Sequence, residues 1–267
     1  MNNIKVIQEE NLSIAWGKAF VDLFNRSADS LEPMAISIHG MRGKEPPEDP
    51  SLRFTINTVL RTNGLPSISE TASTIFPFKE WLLRGKPACD KFRTWYLEKY
   101  LPKHQARVSK VGRRWKNTYF ERMINFTGTK ERDGKQEFAT CNQLGHVVSL
   151  FLSNSSIRQS ALQIGLFDPA KDHTRAPLLG FPCLQQLSFS HNSLGKMSLN
   201  AYYPSQYIFE RAYGNYLGLC HLGLFVAEQM HLTFVQLNCF IARPILKGQL
   251  TKTKLESVNR VALQLLS

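Results

Sequence analysis

The spacing of apolar residues changes halfway along this chain of 267 residues. In the first half, apolar residues recur every three to four positions, which predicts amphipathic helices, the first of them capped by Asn11 or Ser13. In the second half, they stand at alternate or consecutive positions in short runs, which predicts strands at residues 161–167, 184–190, 197–203 and 232–241. Helices that come mostly before the strands indicate the α+β class.

Glycine, proline and polar residues predict where the early elements end. Residues 40–50 (GMRGKEPPEDP) predict a loop that contains an arginine. A helix over residues 89–100 is expected to stop at Pro102, because proline lacks the N–H that continues a helix. The polar, glycine-punctuated residues 127–137 predict a surface loop.

A hairpin and a long helix organise the second half. Residues 191–196 connect two predicted strands, and a symmetric hairpin brings Cys183 and Ser205 together at its open end. A single helix is expected over residues 208–230, where two glycines four positions apart allow another backbone to approach closely.

The composition fits one domain over residues 1–267. A mass of 30.5 kDa with 43% hydrophobic and 20% charged residues is enough for a full core and too apolar for disorder. The first ten residues lack the apolar region of a signal peptide, so a cytoplasmic location is expected. Polar and charged residues interrupt the longest apolar stretch, residues 216–241, which argues against a membrane span.

The cysteines and histidines show no pattern of a disulfide framework or a metal site. The five cysteines are widely spaced and contain no C-x-x-C pair, and the seven histidines lack ligand spacing. We therefore expect neither structural disulfides nor a bound metal.

A formal net charge of +12 indicates phosphorylated or polyanionic partners. The densest basic run comprises Lys103, Arg107, Lys110, Arg113, Arg114 and Lys116. A solvated helix face is the preferred interpretation of this run. Nucleic-acid binding is the alternative, because a charge run supplies phosphate contacts without base readout.

Cys183 is the first candidate for chemistry. It follows Gly180, Phe181 and Pro182 and opens a predicted strand, which fixes its sulfur at a sheet edge and suits a nucleophile. Local sequence also allows a second interpretation, in which the thiol is simply buried packing.

Residues 180–228 resemble the thymidylate synthase and pyrimidine nucleotide hydroxymethylase superfamily. The family pattern has a Pro-Cys dipeptide before a strand, a hairpin, a second strand that ends in Arg-Ser, and a helix that carries an asparagine. Pro182 and Cys183 match the dipeptide, and an ungapped comparison from Met197 places Ser205 on the family's serine and Asn215 on its base-binding asparagine.

The resemblance implies a fold and an activity. It implies an α+β, thymidylate synthase-like domain with a large mixed β-sheet flanked by helices, and a homodimer whose sheets pack back to back. It implies a transferase that methylates or hydroxymethylates C5 of a pyrimidine nucleotide with 5,10-methylenetetrahydrofolate as cofactor. Cys183 would be the nucleophile that adds to C6 of the base.

The resemblance implies roles for four other residues, Asn215 and Ser205 within this segment and Tyr119 and Glu70 from a looser resemblance upstream. Asn215 would hydrogen-bond the pyrimidine edge and favour uracil, and Ser205 would contact phosphate or, alternatively, cap a helix. Tyr119 would assist proton transfer through water, and Glu70, in SETASTIFP, stands for the family's catalytic glutamate. For both residues a purely structural role is the alternative.

The resemblance also indicates the cations of a phosphate site. Arg42 or Arg53 corresponds to the mobile-loop arginine that binds phosphate, and Arg158 to the arginine that a dimer partner supplies. Arg175 or Arg158 is expected to activate the Cys183 thiol, since a neighbouring cation lowers the pKa of a cysteine.

Four departures from the family pattern favour a second hypothesis. Pro204 replaces the phosphate-binding arginine, Leu184 the histidine after the cysteine, and Tyr207 the folate-contacting aspartate; Arg243-Pro244 ends the strand that carries the family's His-x-Tyr pair. The alternative is therefore a catalytically inactive, thymidylate synthase-like protein that binds nucleotides or regulates.

Overall fold

The structure is a computed structural model that describes residues 4–26, 31–110, 118–132, 135–154, 156–173 and 182–267. It confirms the α+β class, with a mixed sheet of six strands flanked by helices. The strands are β1 Lys5–Glu9, β2 Met34–Ile38, β3 Phe126–Arg132, β4 Lys135–Cys141, β5 Gln163–Gly165, β6 Gln186–His191, β7 Lys196–Tyr207 and β8 Thr233–Ile245.

The helices precede, interrupt and follow these strands. They are α1 Leu12–Asn25, α2 Pro50–Thr62, α3 Ile68–Ile75, α4 Phe78–Leu83, α5 Cys89–Trp95, α6 Leu101–Lys110, α7 Tyr119–Ile124, α8 Gln143–Ser153, α9 Pro169–Asp172, α10 Tyr213–Gln229 and α11 Glu256–Leu266. Asn11 caps α1 as expected, because its side chain accepts hydrogen bonds from two backbone amides of the first turn.

The sheet has the strand order β1-β2-β8-β7-β6-β5. The pairs β1–β2 and β7–β8 are parallel, and the other pairs are antiparallel. The predicted hairpin between β6 and β7 is confirmed. The two early strands β1 and β2 were not predicted, because each is short and reaches its place in the sheet only by pairing, β2 with β8 from the far end of the chain.

Helix α10 fills the centre of the core. Its residues from Tyr213 to Ala227 are all buried, so it contacts protein on every side. The predicted close approach occurs at Gly214 and Gly218, whose backbone lies against α3. Helix α10 thereby joins the sheet, through β7 and β8, to α3 in the helical first half of the chain.

The contact between α10 and α3 allows a matched pair of substitutions. A Cβ on Gly218 would lie 2.7 Å from the Ala72 carbonyl oxygen, whereas a Cβ on Gly17 in α1 meets leucine side chains at 3.9 Å. We expect Gly218→Ala to lower the free energy of unfolding by about 1–3 kcal/mol because backbone must move. Gly17→Ala is expected to leave it unchanged or raise it by up to about 1 kcal/mol. Urea unfolding measures both, and equal effects would contradict the packing.

Two expectations about the first half are wrong. The chain does not stop at Pro102, because a π-helical turn, Tyr96–Tyr100, precedes the proline and α6 continues through it. The wider turn accommodates the missing N–H. Residues 127–137 are not a loop but lie in the hairpin β3–β4, whose two strands form a separate sheet. Their lack of apolar alternation hid the strands.

The face of the large sheet that points away from α10 carries uncharged polar side chains across its middle strands. Asn238 Nδ2 donates to Asn200 Oδ1 at 2.9 Å, and Gln236 Nε2 donates to Ser37 Oγ at 2.9 Å. The side chains therefore form a ladder of amides and hydroxyls across β2, β8 and β7.

Candidate functional site

The hairpin brings Cys183 to the edge of the sheet where β7 ends. The ladder pairs Gln186 with Tyr202, and the Gln185 N–H donates to the Tyr202 carbonyl at 3.1 Å. The same register continued places Cys183 opposite Ser205. The two predicted residues therefore share one end of the hairpin.

Ser205 lies inside β7 rather than at a helix cap. A π-helical turn, Ile208–Ala212, begins after Tyr207 and leads directly into α10, and no side chain caps it. In the parallel ladder, Ser205 pairs with Arg243 of β8. Arg243 thus lies across β7 from the position of Cys183, and Pro204 replaces the arginine that the family pattern has one residue earlier.

Tyr119 reaches the same place from the helical layer. Thr118 caps α7 by accepting the Glu121 N–H at 3.0 Å, and its hydroxyl shares a 2.7 Å hydrogen bond with the Tyr96 hydroxyl. The Tyr119 hydroxyl lies beside the backbone of Cys183. Burial raises the pKa of Tyr119, so this group is a phenol that donates or relays a proton.

A buried ion pair holds α7 in position. Arg122 donates to both carboxylate oxygens of Asp172 at 2.7 Å and to the Leu166 carbonyl at 2.7 Å. Asp172 is also bonded to the Asp168 N–H at 2.8 Å. These contacts join the helix of Tyr119 to the segment that precedes Cys183 in the chain.

The electrostatics at Cys183 combine burial with a cation from the described part of the chain. Burial raises the pKa of the Cys183 thiol, and the guanidinium of Arg211 acts in the opposite direction. Arg211 also opposes the raised pKa of Tyr119, so its charge acts on both groups. Among the described residues, Arg211 is therefore the cation whose charge acts on the candidate nucleophile, and the sequence did not indicate it.

Buried polar groups without partners lie next to this cluster. Tyr203 is fully buried, and its pKa is raised by burial and then by neighbours that include Tyr119 and Cys183. Its hydroxyl has no hydrogen-bond partner in the described part of the chain. Gln206 is 1% exposed and accepts the Tyr216 hydroxyl at 3.1 Å, while its Nε2 likewise lacks a described partner. A buried polar group without a hydrogen-bond partner lowers the stability of the fold, and such groups are typical of ligand-binding sites.

Asn215 lies on the side of α10 that faces away from α1, toward the part of the sheet that contains β6. Gly214 faces α3, Tyr213 binds Ser13 of α1, and Tyr216 faces β7, so Asn215 lies on the side away from α1. The sheet order puts α1 over β1 and β2 and leaves β6 on that opposite side. Asn215 is 4% exposed, and no other described residue forms a hydrogen bond with its side chain.

The remaining predicted site residues lie elsewhere. Glu70 closes the capping box of α3 by accepting from the Ser67 N–H at 2.8 Å, which is the structural role. Arg42 is exposed in the loop before α2. Arg175 lies outside the described residues. The structure does not bring Glu70 or Arg42 together with Cys183.

Arg158 lies far from Cys183 within one chain. It is exposed and precedes Gln159, whose Nε2 donates to the His191 carbonyl at the opposite end of β6. The eight residues from Cys183 to His191 span about 25 Å of extended strand. Arg158 therefore cannot activate the thiol of its own chain.

The sequence missed Arg211, Tyr203 and Gln206. Arg211 stands four residues before Asn215, and that helical spacing was the available signal. Apolar and polar residues do not alternate regularly around Tyr203 and Gln206 in β7. The burial of these two residues therefore follows only from the packing of α10 on the strand.

The described residues contain no group of three or more potential metal ligands. Within the same residues, every helix is too short or too polar to cross a membrane. Comparison with models of known protein families and with curated proteins finds no match for this chain.

Proposed function

We propose that this protein is a pyrimidine nucleotide C5 one-carbon transferase that uses Cys183 as its nucleophile. The observation that carries this proposal is the proximity of Tyr119 and Arg211 to Cys183, and the buried amide of Asn215 on the side of α10 away from α1 supports it. An amide donates to O4 of uracil and accepts from N3–H, which gives Asn215 a pyrimidine partner.

The residues present supply the first half of the reaction. The Cys183 thiol loses its proton to water held by Tyr119, and the sulfur forms a bond to C6. The C5–C6 π electrons move toward C5 and O4, where the hydrogen bond from Asn215 stabilises the charge. C5 is then the nucleophile that takes a proton or a one-carbon unit from a donor.

The described residues do not fit the folate contact that the resemblance implies. Tyr207 replaces the family's aspartate and is 39% exposed at the end of β7. We therefore assign no step to 5,10-methylenetetrahydrofolate.

A nucleotide-binding protein without turnover is the second candidate. It is favoured by the burial that raises the pKa of the Cys183 thiol, with Arg211 opposing it. In that case the Tyr203 hydroxyl, the Gln206 Nε2 and the Asn215 amide, which lack described partners, hold a nucleotide, and Cys183 is only part of the wall.

Calorimetric titration with UMP, dUMP, CMP and dCMP tests the binding that both candidates require. We expect wild type and Cys183→Ala to bind a uracil nucleotide with affinities within about threefold, because the thiol contributes little to the ground state. Asn215→Ala should bind at least about tenfold more weakly, since it leaves base atoms unpaired. Equal affinity in all three proteins, or no binding by any of them, contradicts the proposal that Asn215 belongs to a nucleotide-binding pocket.

We also propose that the protein is a homodimer that pairs the outward face of the sheet with its copy. The middle of this face carries amides, hydroxyls and the stacked rings of Tyr202 and Phe240, which are 38% and 39% exposed. A patch without charge in a chain of net charge +12 lets two copies meet without repulsion. Arg158 lies at the border of this face, beside Gln159, which lines a cleft on it.

Sedimentation velocity tests the dimer. Wild type should sediment at twice the chain mass of 30.5 kDa, and Asn200→Lys should sediment as a monomer, because the substitution places like charges in the interface. Thr58→Lys, on the exposed surface of α2, is the matched control and should remain dimeric. A monomeric wild type, or a dimeric Asn200→Lys, contradicts the proposal.

A further inference from the structure

A second cleft opens on the other side of α10. It has a volume of about 440 Å³ and lies between α3, α4, α10 and the loop before α2. Its wall includes the aromatic residues Phe76, Phe78 and Tyr100 and the aliphatic residue Leu217. The volume lies within the range of small-molecule sites, and the wall is mostly apolar, as in such sites.

This cleft is separate from the Cys183 cluster. His221 lines it, whereas Asn215 faces the cluster; the two are six residues apart, about 9 Å along the helix and on different faces. None of the described residues that line the cleft belongs to the Cys183 cluster.

His221 is fixed at the wall of the cleft by two contacts. Its ring stacks on Phe78, with centroids 4.2 Å apart and planes 7° apart, and its Nε2 is 2.7 Å from Glu45 Oε2. The ring is buried, and Nδ1 has no hydrogen-bond partner among the residues that the structure describes. Because the carboxylate only accepts, Nε2 carries the proton and Nδ1 is the nitrogen left for a ligand.

The charges of the cleft leave one lysine without an ion pair. Glu45 is bonded to His221, Arg53 pairs with Glu48, and Glu80 lies 3.6 Å from Arg84. The hydrogen bond with His221 lowers the pKa of Glu45, so that carboxylate is charged at neutral pH. Lys79 lines the same cleft and forms no salt bridge with any described residue, although its charge helps to lower the pKa of Glu45.

We propose that this cleft binds a small planar aromatic carboxylate. The ring of the ligand lies along Phe78, Tyr100 and Leu217, its carboxylate meets Lys79, and the imidazole of His221 borders it. This site is independent of the nucleotide site and of the reaction at Cys183.

Calorimetric titration with 2-naphthoate tests this site, with 2-naphthamide as the uncharged analogue. Wild type should bind one 2-naphthoate per chain and bind the amide at least about tenfold more weakly, because the amide lacks the charge that Lys79 pairs. Lys79→Gln should weaken 2-naphthoate binding at least about tenfold. Lys86→Gln, which removes a surface lysine paired with Glu228, should change it less than about twofold.

His221→Phe gives a second readout, because it keeps the stacking on Phe78 and removes Nδ1, which can accept a hydrogen bond from a ligand hydroxyl. We expect it to weaken binding of 6-hydroxy-2-naphthoate by about fivefold or more and to change 2-naphthoate binding less than about twofold, since 2-naphthoate has no donor for Nδ1. Absence of saturable binding to wild type overturns the proposal. So does a Lys79→Gln variant that binds 2-naphthoate as tightly as the Lys86→Gln control.

Discussion

Asp172→Asn is expected to lower the free energy of unfolding by about 3 kcal/mol or more, since removal of one partner leaves the other charge buried and unpaired. Asp172 is 3% exposed at its side chain and holds Arg122 through two 2.7 Å hydrogen bonds. Burial acts to raise the pKa of Asp172, but the bonds from Arg122 outweigh it and the pKa is lowered. The carboxylate is therefore charged in the folded chain at neutral pH.

Urea unfolding at pH 7 measures this effect, with Lys171→Gln as the control. Lys171 is 51% exposed and lies 3.8 Å from Asp168, so its loss should cost less than about 0.5 kcal/mol. A lowered folded pKa contributes stability above the unfolded value, and this contribution is lost as the pH falls through the folded value. The difference between wild type and Asp172→Asn should therefore shrink in acid. An Asp172→Asn protein as stable as the control contradicts the role of this pair.

Asn215→Asp is expected to reverse the base preference from uracil to cytosine. The Asn215 amide both donates and accepts, which matches O4 and N3–H of uracil, whereas a carboxylate only accepts and matches the N4 amino group of cytosine. The site is 4% exposed, so a mismatched hydrogen bond costs its full desolvation. We expect the ratio of UMP to CMP affinity to fall by about 30-fold or more, the product of a loss for one base and a gain for the other.

Competition binding with UMP and CMP, or with the deoxy forms if these bind more tightly, gives this ratio directly. Asn192→Asp is the matched control, because it makes the same change in the exposed turn between β6 and β7, where the Asn192 Oδ1 only accepts hydrogen bonds. It should leave the ratio unchanged. If Asn215→Asp keeps the wild-type ratio of UMP to CMP affinity, the assignment of Asn215 to the base-binding site is contradicted.

The sequence predicted the parts of the fold whose signal is local. The strands β6, β7 and β8 and the helix α10 follow from runs of apolar residues and lie within a few residues of their predicted bounds. The strand β2 depends on pairing with residues about 200 positions away, for example Ile38 with Leu237, and β1 pairs with β2. Five residues in each strand carry too little pattern to show this. The continuation of α6 through Pro102 depends on a π-helical turn that the sequence does not mark.

The candidate site shows the same division. Cys183, Ser205 and Asn215 belong to one hairpin and the helix after it, so their order along the chain was informative. In the sequence, Arg211 is an ordinary polar residue without a distinguishing pattern. Its effect on the pKa of the Cys183 thiol arises only from the turn that connects β7 to α10. The cleft at His221 joins four distant segments of the chain, and neither periodicity nor spacing indicates it.

Exchange of the C5 hydrogen of UMP, dUMP, CMP and dCMP in heavy water tests the central claim without a one-carbon donor. Addition of the Cys183 thiolate to C6 makes C5 basic, so we predict deuterium at C5 with wild type, at a rate that rises from pH 7 to pH 9 because burial raises the pKa of the thiol. Cys183→Ser, with the same nucleotide bound, should lose the exchange by at least about 1000-fold. No exchange by wild type under conditions where a nucleotide is bound, or equal exchange by Cys183→Ser, would contradict covalent catalysis by this cysteine.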